Sequence, residues 1–400
     1  MKVCFETFGC RLNKAEALQM EADYLARGWE RTESHADADL FVIRGCSVTA
    51  HAQSECEKLI DHLKHKYPLA QFRVLGCLDV AKGAAEVRAR GSGVFAEGSP
   101  RRIFRATDDN IPTRTARAYL KVQDGCAGNC TFCIVPKFRG TSKSEDYTSL
   151  LDKARRFIDA GYHEIVVTGC NLSLYASQGK RLPDLLSALA ELDAGCRIRL
   201  GSIEPGSCAL ETVQAMAERS NVCRFLHLTA QSGSEKILRA MRRPYSVRDI
   251  DHVAATAARL MPRIGLGCDL MTGFPGETEL DHLASKGLLM RLPFNNAHVF
   301  PFSERPGTPA AVFHDSVPKD VRSARAHELS ELIRTKRRTF AKTFIGQTVE
   351  IIVEDGNIGR GWSGEYLPCE PVIGIHARKS RVRLFITKAG GEVLYGRPVN

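Results

Sequence analysis

Extended apolar runs that hand over to helical stretches recur along most of this chain of 400 residues, and this alternation restricts the fold more than any other feature. "KVCFETF" precedes "KAEALQMEADYLARG", "DLFVIRG" precedes "AHAQSECEKLIDHLKHKY", and "QFRVLG" follows. Strands alternating with crossover helices assemble into parallel sheets, so residues 1–111 are expected to form an open α/β sheet domain. After the strand "AYLKVQDG", further strand and helix units appear at "HEIVVTG", "CRIRLGSIEP", "RFLHLTAQ", "IGLGCDLMTGFPG" and "NAHVFPFS". Six units of this kind suit a full or partial parallel β/α barrel over residues 112–340, with a charged amphipathic helix from Pro318 to Phe340 at its end. Residues 341–400 read as a small all-β module, in which Arg378, Lys379, Arg381 and Arg383 bunch together. The Arg-rich "GSPRRIFRATDDNIPTRTAR" looks like the linker between the first two units.

The apolar fraction of 44% and charged fraction of 26% are those of an ordinary globular protein. No apolar run approaches a membrane span, and the first residues lack the basic and apolar segments of a signal peptide, so a cytoplasmic protein is expected. In a reducing compartment, the fourteen cysteines serve as metal ligands or reactive thiols before they serve as disulfides. A net charge of +10 fits a polyanionic partner.

Three thiols stand together in "CAGNCTFC": Cys126, Cys130 and Cys133. A structural zinc would need a fourth ligand, and no Cys, His or Asp stands at the usual spacing after Cys133. Iron–sulfur clusters are held by thiolates, and three ligands on a cubane leave one iron open to something else. A second triplet comes from strand ends: "FGC", "IRGC" and "LGC" place Cys10, Cys46 and Cys77 where open α/β sheets gather their ligands.

Cys126, Cys130 and Cys133 at the mouth of a barrel's first strand resemble the signature of radical S-adenosylmethionine enzymes. That resemblance implies that the open iron binds S-adenosylmethionine, whose reductive cleavage gives a 5′-deoxyadenosyl radical. The N-terminal "FGCRLNKAEA", "CSVTA" and "LGC", followed by "CTFCIVPKFRG", "TAQSGSEKILRAMRRPYS" and "HVFPFSERPGTPAA", are similar to the methylthiotransferases within that superfamily. The resemblance covers almost the whole chain and implies a second 4Fe–4S cluster on Cys10, Cys46 and Cys77. It also implies a TRAM-like RNA-binding module at the C-terminus, a tRNA anticodon stem-loop as partner, an external reductant of the flavodoxin or ferredoxin type, and a monomer. "GCRLNKAE" is closer to the MtaB-type branch, which implies methylthiolation of threonylcarbamoyl-adenosine at C2. The branches acting on isopentenyl-adenosine or on a ribosomal protein stay open, as does a non-enzymatic, cluster-containing RNA-binding protein. Two departures stand out: Arg44 and Gly45 precede Cys46 where the family has Asn-Thr, and Cys170 replaces an apolar residue, expected here to pack as a small hydrophobe.

Other site residues follow from barrel strand ends. Ser202 and Glu204 in "RLGSIEP" are expected at the cofactor's ribose. Thr168, Gly169 and Asn171 are expected at its methionine part, and Phe132, Gln231, Ser232 and Gly273 are further candidate contacts. Arg243 and Arg305 are candidates for the cofactor carboxylate or substrate phosphates, because guanidinium offers a planar fork. The basic "RTKRRTF" and "HARKSRVR", with Phe340, Phe385 and Trp362 nearby, are expected to contact RNA by phosphate pairing and base stacking. The remaining cysteines, and His163, His227 and His298, read as interior packing residues.

Overall fold

The computed structural model describes residues 1–399 except 47–49, 79–109, 112–113, 207 and 375. Most of the expected Arg-rich linker therefore lies outside the described residues.

The N-terminal sheet is wholly parallel, in the order β2-β1-β3-β4: β1 (Lys2–Thr7), β2 (Glu30–Arg31), β3 (Leu40–Gly45) and β4 (Gln71–Gly76). Helices α1 (Arg11–Ala26) and α2 (Ala50–Lys66) cross over between strands, as the alternating sequence requires. β3 is buried along its whole length, and Phe41 and Ile43 join Cys4, Leu63 and Phe72 in one core.

Six parallel strands in chain order make the central unit. β5 (Ala118–Lys121) pairs with β8 (Glu164–Thr168), which pairs with β11 (Arg197–Leu200). Gly201 interrupts that strand, which continues as β12 (Ser202–Ile203) and hands the sheet on to β13 (Phe225–Gln231), β14 (Gly265–Thr272) and β15 (Asn296–Pro301). Two short antiparallel pairs decorate it, β6 (Gln123–Asp124) with β7 (Lys143–Ser144) and β9 (Ala176–Ser177) with β10 (Lys180–Arg181). Among the described residues no ladder joins β15 back to β5, so the barrel is partial. The helices outside it are capped by their own sequence. Asp146 accepts from the Ser149 amide at 2.9 Å, and Ser246 with Asp249 and Thr278 with Asp281 form reciprocal boxes.

Strand alternation then sorts the side chains. Ile165, Val167, Leu226, Leu228, Leu266 and Leu270 pack against the helices. Their neighbours Glu164, Arg199, His227, Asp269 and His298 point into the barrel instead. That interior is charged where it is deepest: fully buried Glu164 accepts from Arg199 Nε at 2.6 Å and Arg197 Nε at 3.0 Å, with Arg117 at 3.6 Å.

The C-terminal module is a closed barrel of β16 (Thr348–Asp355), β17 (Arg360–Ser363), β18 (Pro368–Pro371), β19 (Arg381–Gly390) and β20 (Val393–Val399). It sits on the strand-start end of the central barrel. Arg197 donates to the Glu350 carbonyl at 2.7 Å, Arg199 to the Ser363 carbonyl at 2.8 Å, and Arg117 to Glu354 at 2.7 Å. Among the described residues no helix is long and apolar enough to cross a membrane.

Candidate functional site

The first thiol triplet lies beyond the carboxyl end of β5, in a loop held at both ends. Gly125 starts it at φ +65°, a conformation other residues adopt at a cost, and a Cβ there would fall 2.1 Å from the Thr141 carbonyl oxygen. Substituting Gly125→Ala is therefore expected to cost about 1–3 kcal/mol and to lower both the thermal midpoint and the iron bound per chain on reconstitution; an unchanged midpoint would refute the clash. The Cys126 amide donates to Gly140 at 3.0 Å, and buried Thr131 ties the loop to Met241, Ala240 and Ala310.

Gly128 sits between the sulfurs. Its amide donates to Cys126 Sγ at 3.2 Å, and a Cβ would lie 3.1 Å from that sulfur and 3.7 Å from Cys130 Sγ. None of the chain's cysteines is disulfide-bonded. A half-buried cradle of three thiols, closed by a glycine and with no fourth protein ligand supplied by its own loop, fits a cluster with one open iron.

The strand ends around this loop converge on Arg243, whose side chain is 7% exposed. It donates to Cys130 Sγ at 3.0 Å, to Glu204 Oε1 at 2.7 Å, to Thr229 Oγ1 at 3.2 Å and to Tyr245 Oη at 2.7 Å. Arg243 and Glu204, singled out separately in the sequence, are thus one unit. Thr229 and Tyr245 were not singled out, although the inward alternation of "RFLHLTAQ" places Thr229 two residues before Gln231.

Gln231 has φ +64° and is 7% exposed, and its Oε1 is buried without a hydrogen-bond partner. An unpaired buried carbonyl at a strand end is a ready acceptor for a ligand. Thr168 closes β8 and is buried. Gly169 packs on Gln123, which accepts from the Asn171 amide at 2.9 Å and donates to Ser142 at 2.9 Å. Fully buried Gln123 is a further positioning residue that sequence reading missed. Ser202 is exposed on β12, and Phe132 lies edge-on to Phe274 at 6.5 Å.

Three expectations change. The space at Gly273 is taken up by Arg322, whose Cγ would stand 2.1 Å from an added Cβ, so the glycine serves a helix contact. Ser232 is fully buried beside Ser285, at 3.3 Å, and so is turned to a helix. Arg305, a candidate for the cofactor carboxylate or substrate phosphates, is instead buried and donates to Gln53 of α2 at 2.6 Å.

The second triplet follows β1, β3 and β4 as expected, with Cys10 exposed at the start of α1 and Cys46 and Cys77 buried. A Cβ on Gly9 would lie 2.8 Å from Cys46 Sγ, so the Cys10 and Cys46 turns touch. Asn13 fastens them by donating to the Phe8 carbonyl at 2.8 Å and the Gly45 carbonyl at 3.1 Å. The other side of Asn13 meets the barrel. Arg139, six residues after Cys133, donates to Asn13 Oδ1 at 2.8 Å, to Glu16 at 3.0 Å and to Asp124 at 3.0 Å. Lys121 bridges the same two carboxylates at 2.7 and 2.6 Å. Against its burial, Arg44, Lys121 and Arg139 hold the Glu16 carboxyl far below the usual carboxylate range.

Arg44, one of the departures, turns to Glu16 and lies 3.4 Å from Met20 Sδ. Cys170 does not pack as a small hydrophobe: its thiol donates to Asp124 at 3.5 Å, inside the same polar seam. Among the cysteines read as packing residues, burial pushes Cys4 and Cys223 up to about 11 and Cys196 up to about 12.

The basic stretches are largely engaged within the chain. Lys336 donates to the Leu292 carbonyl at 2.6 Å, Arg337 pairs with Glu392 at 2.9 Å, and Arg381 donates to the Gly195 carbonyl at 2.8 Å. Lys379 covers the Tyr162 ring at 4.0 Å. Phe340 packs in the C-terminal core and Trp362 stacks on Tyr366 at 4.5 Å, which leaves Phe385 as the exposed ring of the three.

Comparison with known proteins agrees with this geometry. Residues 120–285 match the family model described as the Radical SAM superfamily, and residues 2–94 match that of Uncharacterized protein family UPF0004. The chain is 29% identical over 383 residues to threonylcarbamoyladenosine tRNA methylthiotransferase MtaB of Bacillus subtilis (strain 168), covering 88% of this chain and 85% of that one. It is 30% identical over 385 residues to tRNA-2-methylthio-N(6)-dimethylallyladenosine synthase of Chlorobium chlorochromatii (strain CaD3), covering 87% and 85%. Among solved structures, the radical S-adenosylmethionine methyltransferase TsrM of Kitasatospora setae shares the fold, with a TM-score of 0.56, 14% identity, and 78% and 77% of the two chains covered.

Proposed function

We infer, from this chain's membership of the radical S-adenosylmethionine tRNA methylthiotransferases, that it adds a methylthio group to C2 of N6-threonylcarbamoyladenosine beside the anticodon. The chain is an enzyme of tRNA modification that relies on S-adenosylmethionine and iron–sulfur chemistry. In the proposed arrangement Cys126, Cys130 and Cys133 hold one 4Fe–4S cluster, while Cys10, Cys46 and Cys77 hold a second that carries the sulfur. The reading takes residues 1–111, 112–340 and 341–400 as three working units of a monomer, with an external flavodoxin- or ferredoxin-type reductant.

The observation that carries it is the meeting of the two triplets. Arg139 reaches from the helix after the first triplet to Asn13, which fastens the second. A sulfur donor and a hydrogen-abstracting centre must face one substrate carbon in turn, and a rigid bridge between them supports that order. When bound, the cluster and S-adenosylmethionine supply the radical chemistry that an unactivated ring C–H needs.

The chain's own residues bind and orient. Arg243, pinned by Tyr245 and Thr229, presents a fixed cation beside Cys130 suited to a carboxylate. Glu204 is placed for a ribose hydroxyl, Gln231 Oε1 for an amino group, and Thr168 and Asn171 line the adjoining strand end. Ser202, Gly169 and Phe132 complete the proposed surround. The C-terminal barrel shuts the far end of the lumen against water.

Two measurements test the reading. Nucleoside mass spectrometry of tRNA from cells lacking the protein is expected to show methylthio-threonylcarbamoyladenosine lost and its unthiolated precursor accumulating. Loss of the isopentenyl product instead would reassign the substrate, and unchanged tRNA would point to a protein acceptor. Substituting Cys10, Cys46 and Cys77 together by Ala is expected to halve the iron of the reconstituted protein, from about eight to about four per chain. 5′-Deoxyadenosine formation should survive and methylthio transfer should vanish; retained transfer would remove the second cluster from the account.

A further inference from the structure

Packing accounts for the burial of Cys4 but not for what its sulfur faces. In "KVCFETF" the strand period of two puts Cys4 and Glu6 on one face of β1. His35 opens the short 3-10 turn His35–Asp37 between β2 and β3 and meets that face. The Cys4 sulfur, a Glu6 carboxylate oxygen and a His35 ring nitrogen all lie within 4.8 Å of one another. His35 Nε2 stands 2.8 Å from Glu6 Oε1, and the Cys4 thiol is free of any disulfide.

The fold holds this trio in place. The connection that carries His35 is pinned to β1 at both ends, since the Thr32 amide donates to the Val3 carbonyl at 3.0 Å and the Asp39 amide to the Lys2 carbonyl at 2.9 Å. The His35 ring lies edge-on to Phe41 at 5.6 Å and to Tyr67 at 6.4 Å. One side of the trio is closed and the other open: Cys4 is 3% exposed, while the Glu6 and His35 side chains are 30% and 34% exposed. The cations whose charge reaches Cys4 are committed elsewhere, Arg31 to Glu21 at 3.2 Å and Glu33 at 3.0 Å, and Arg114 to Glu21 at 3.6 Å.

A thiolate, an imidazole and a carboxylate together suit zinc and not magnesium or calcium, which take oxygen alone. Tetrahedral zinc spaces such ligand atoms by about 3.4–3.6 Å, so the His35–Glu6 contact needs to open by less than about 1 Å. Burial and the Glu6 carboxylate push the Cys4 thiol up to about 11. A dication reverses that balance: it neutralises the carboxylate and takes the sulfur as thiolate, with the thiol proton released to water. We propose that Cys4, Glu6 and His35 form a binding site for one zinc ion, with a water from the open side as fourth ligand. The ion ties the connection between β2 and β3 to the strand that runs on to Cys10, and it uses none of the cysteines of the two triplets.

The test uses the anaerobically reconstituted full chain, dialysed against zinc buffered by a weak chelator, with zinc and iron measured together by plasma mass spectrometry. Wild type is expected to hold about one zinc per chain beside its iron, and to melt at a higher temperature with zinc than without it. Zinc-edge X-ray absorption should show one sulfur in a shell otherwise of nitrogen and oxygen. Cys4→Ser and His35→Gln should each lose the zinc and the rise in melting temperature, with iron per chain equal to that of wild type. His35→Gln changes a part-exposed side chain, so it decides the matter even if Cys4→Ser disturbs the core. Absence of zinc from wild type, or zinc retained by His35→Gln, overturns the proposal. A shell of three sulfurs would put the metal on one of the cysteine triplets and overturns it as well.

Discussion

Cys130→Ala is expected to abolish 5′-deoxyadenosine formation and methylthio transfer together, while the iron of the reconstituted protein falls from about eight to about four per chain. Cys130 is the sulfur that meets Arg243, so its loss removes one of three ligands and also the contact that joins the cradle to Glu204. Two remaining thiolates do not hold a cubane against chelators or oxygen. Anaerobic iron analysis and chromatography of the S-adenosylmethionine products measure both effects on one sample. The contrast with the N-terminal triplet is diagnostic: that variant should still make 5′-deoxyadenosine, whereas Cys130→Ala should not. If Cys130→Ala kept all its iron and its cleavage activity, Cys126, Cys130 and Cys133 could not be the cluster's ligands.

The second large effect lies at the opposite end of the barrel. Glu164→Ala is expected to destabilise the central unit by about 3–5 kcal/mol, because it leaves the buried guanidiniums of Arg199, Arg197 and Arg117 facing one another. Urea unfolding followed by circular dichroism reads the loss, and a change below about 1 kcal/mol would mean that solvent reaches the site. The three arginines hold the Glu164 carboxyl far below the ordinary carboxylate range despite its burial. Its contribution is therefore fully present above the unfolded-state value near 4.3, and is lost only as pH falls through the depressed native value. Wild type should keep this contribution from neutrality down to about pH 5, and Glu164→Ala should lack it throughout that range.

These two sites differ in how far the sequence announced them. The thiol loop was legible because its chemistry is local: three cysteines in eight residues need no tertiary information. The second triplet was legible one step further, since Cys10, Cys46 and Cys77 each follow a strand and parallel sheets bring such ends together. The pairing of Arg243 with Glu204 was not, because the residues stand 39 positions apart and only the barrel's curvature joins them. Glu164 was hidden by its setting, one acid before the apolar "IVVT", although "RIR" on the neighbouring strand offered two inward cations at the matching period. The same blindness made "HARKSRVR" look like a free basic face. Composition records the charges of Lys379 and Arg381 but not that the first lies on Tyr162 and the second holds the Gly195 carbonyl. Cys170 misled for a related reason: a small residue after a strand looks apolar until Asp124 is found beside it.

The docking of the C-terminal barrel has a consequence for how its role can be dissected. Arg197 and Arg199 spend their outer N–H groups on main-chain oxygens of Glu350, Trp362, Ser363 and Gly364, acceptors that no side-chain change can delete. A chain shortened before Thr348 would strand those donors at the bottom of the catalytic unit. Its inactivity would then report a damaged foundation and say nothing about grip on nucleic acid. Testing the expected RNA contact of this module apart from its docking calls for charge changes on its outward rim, at Arg378 for example, with the carbonyl contacts left intact.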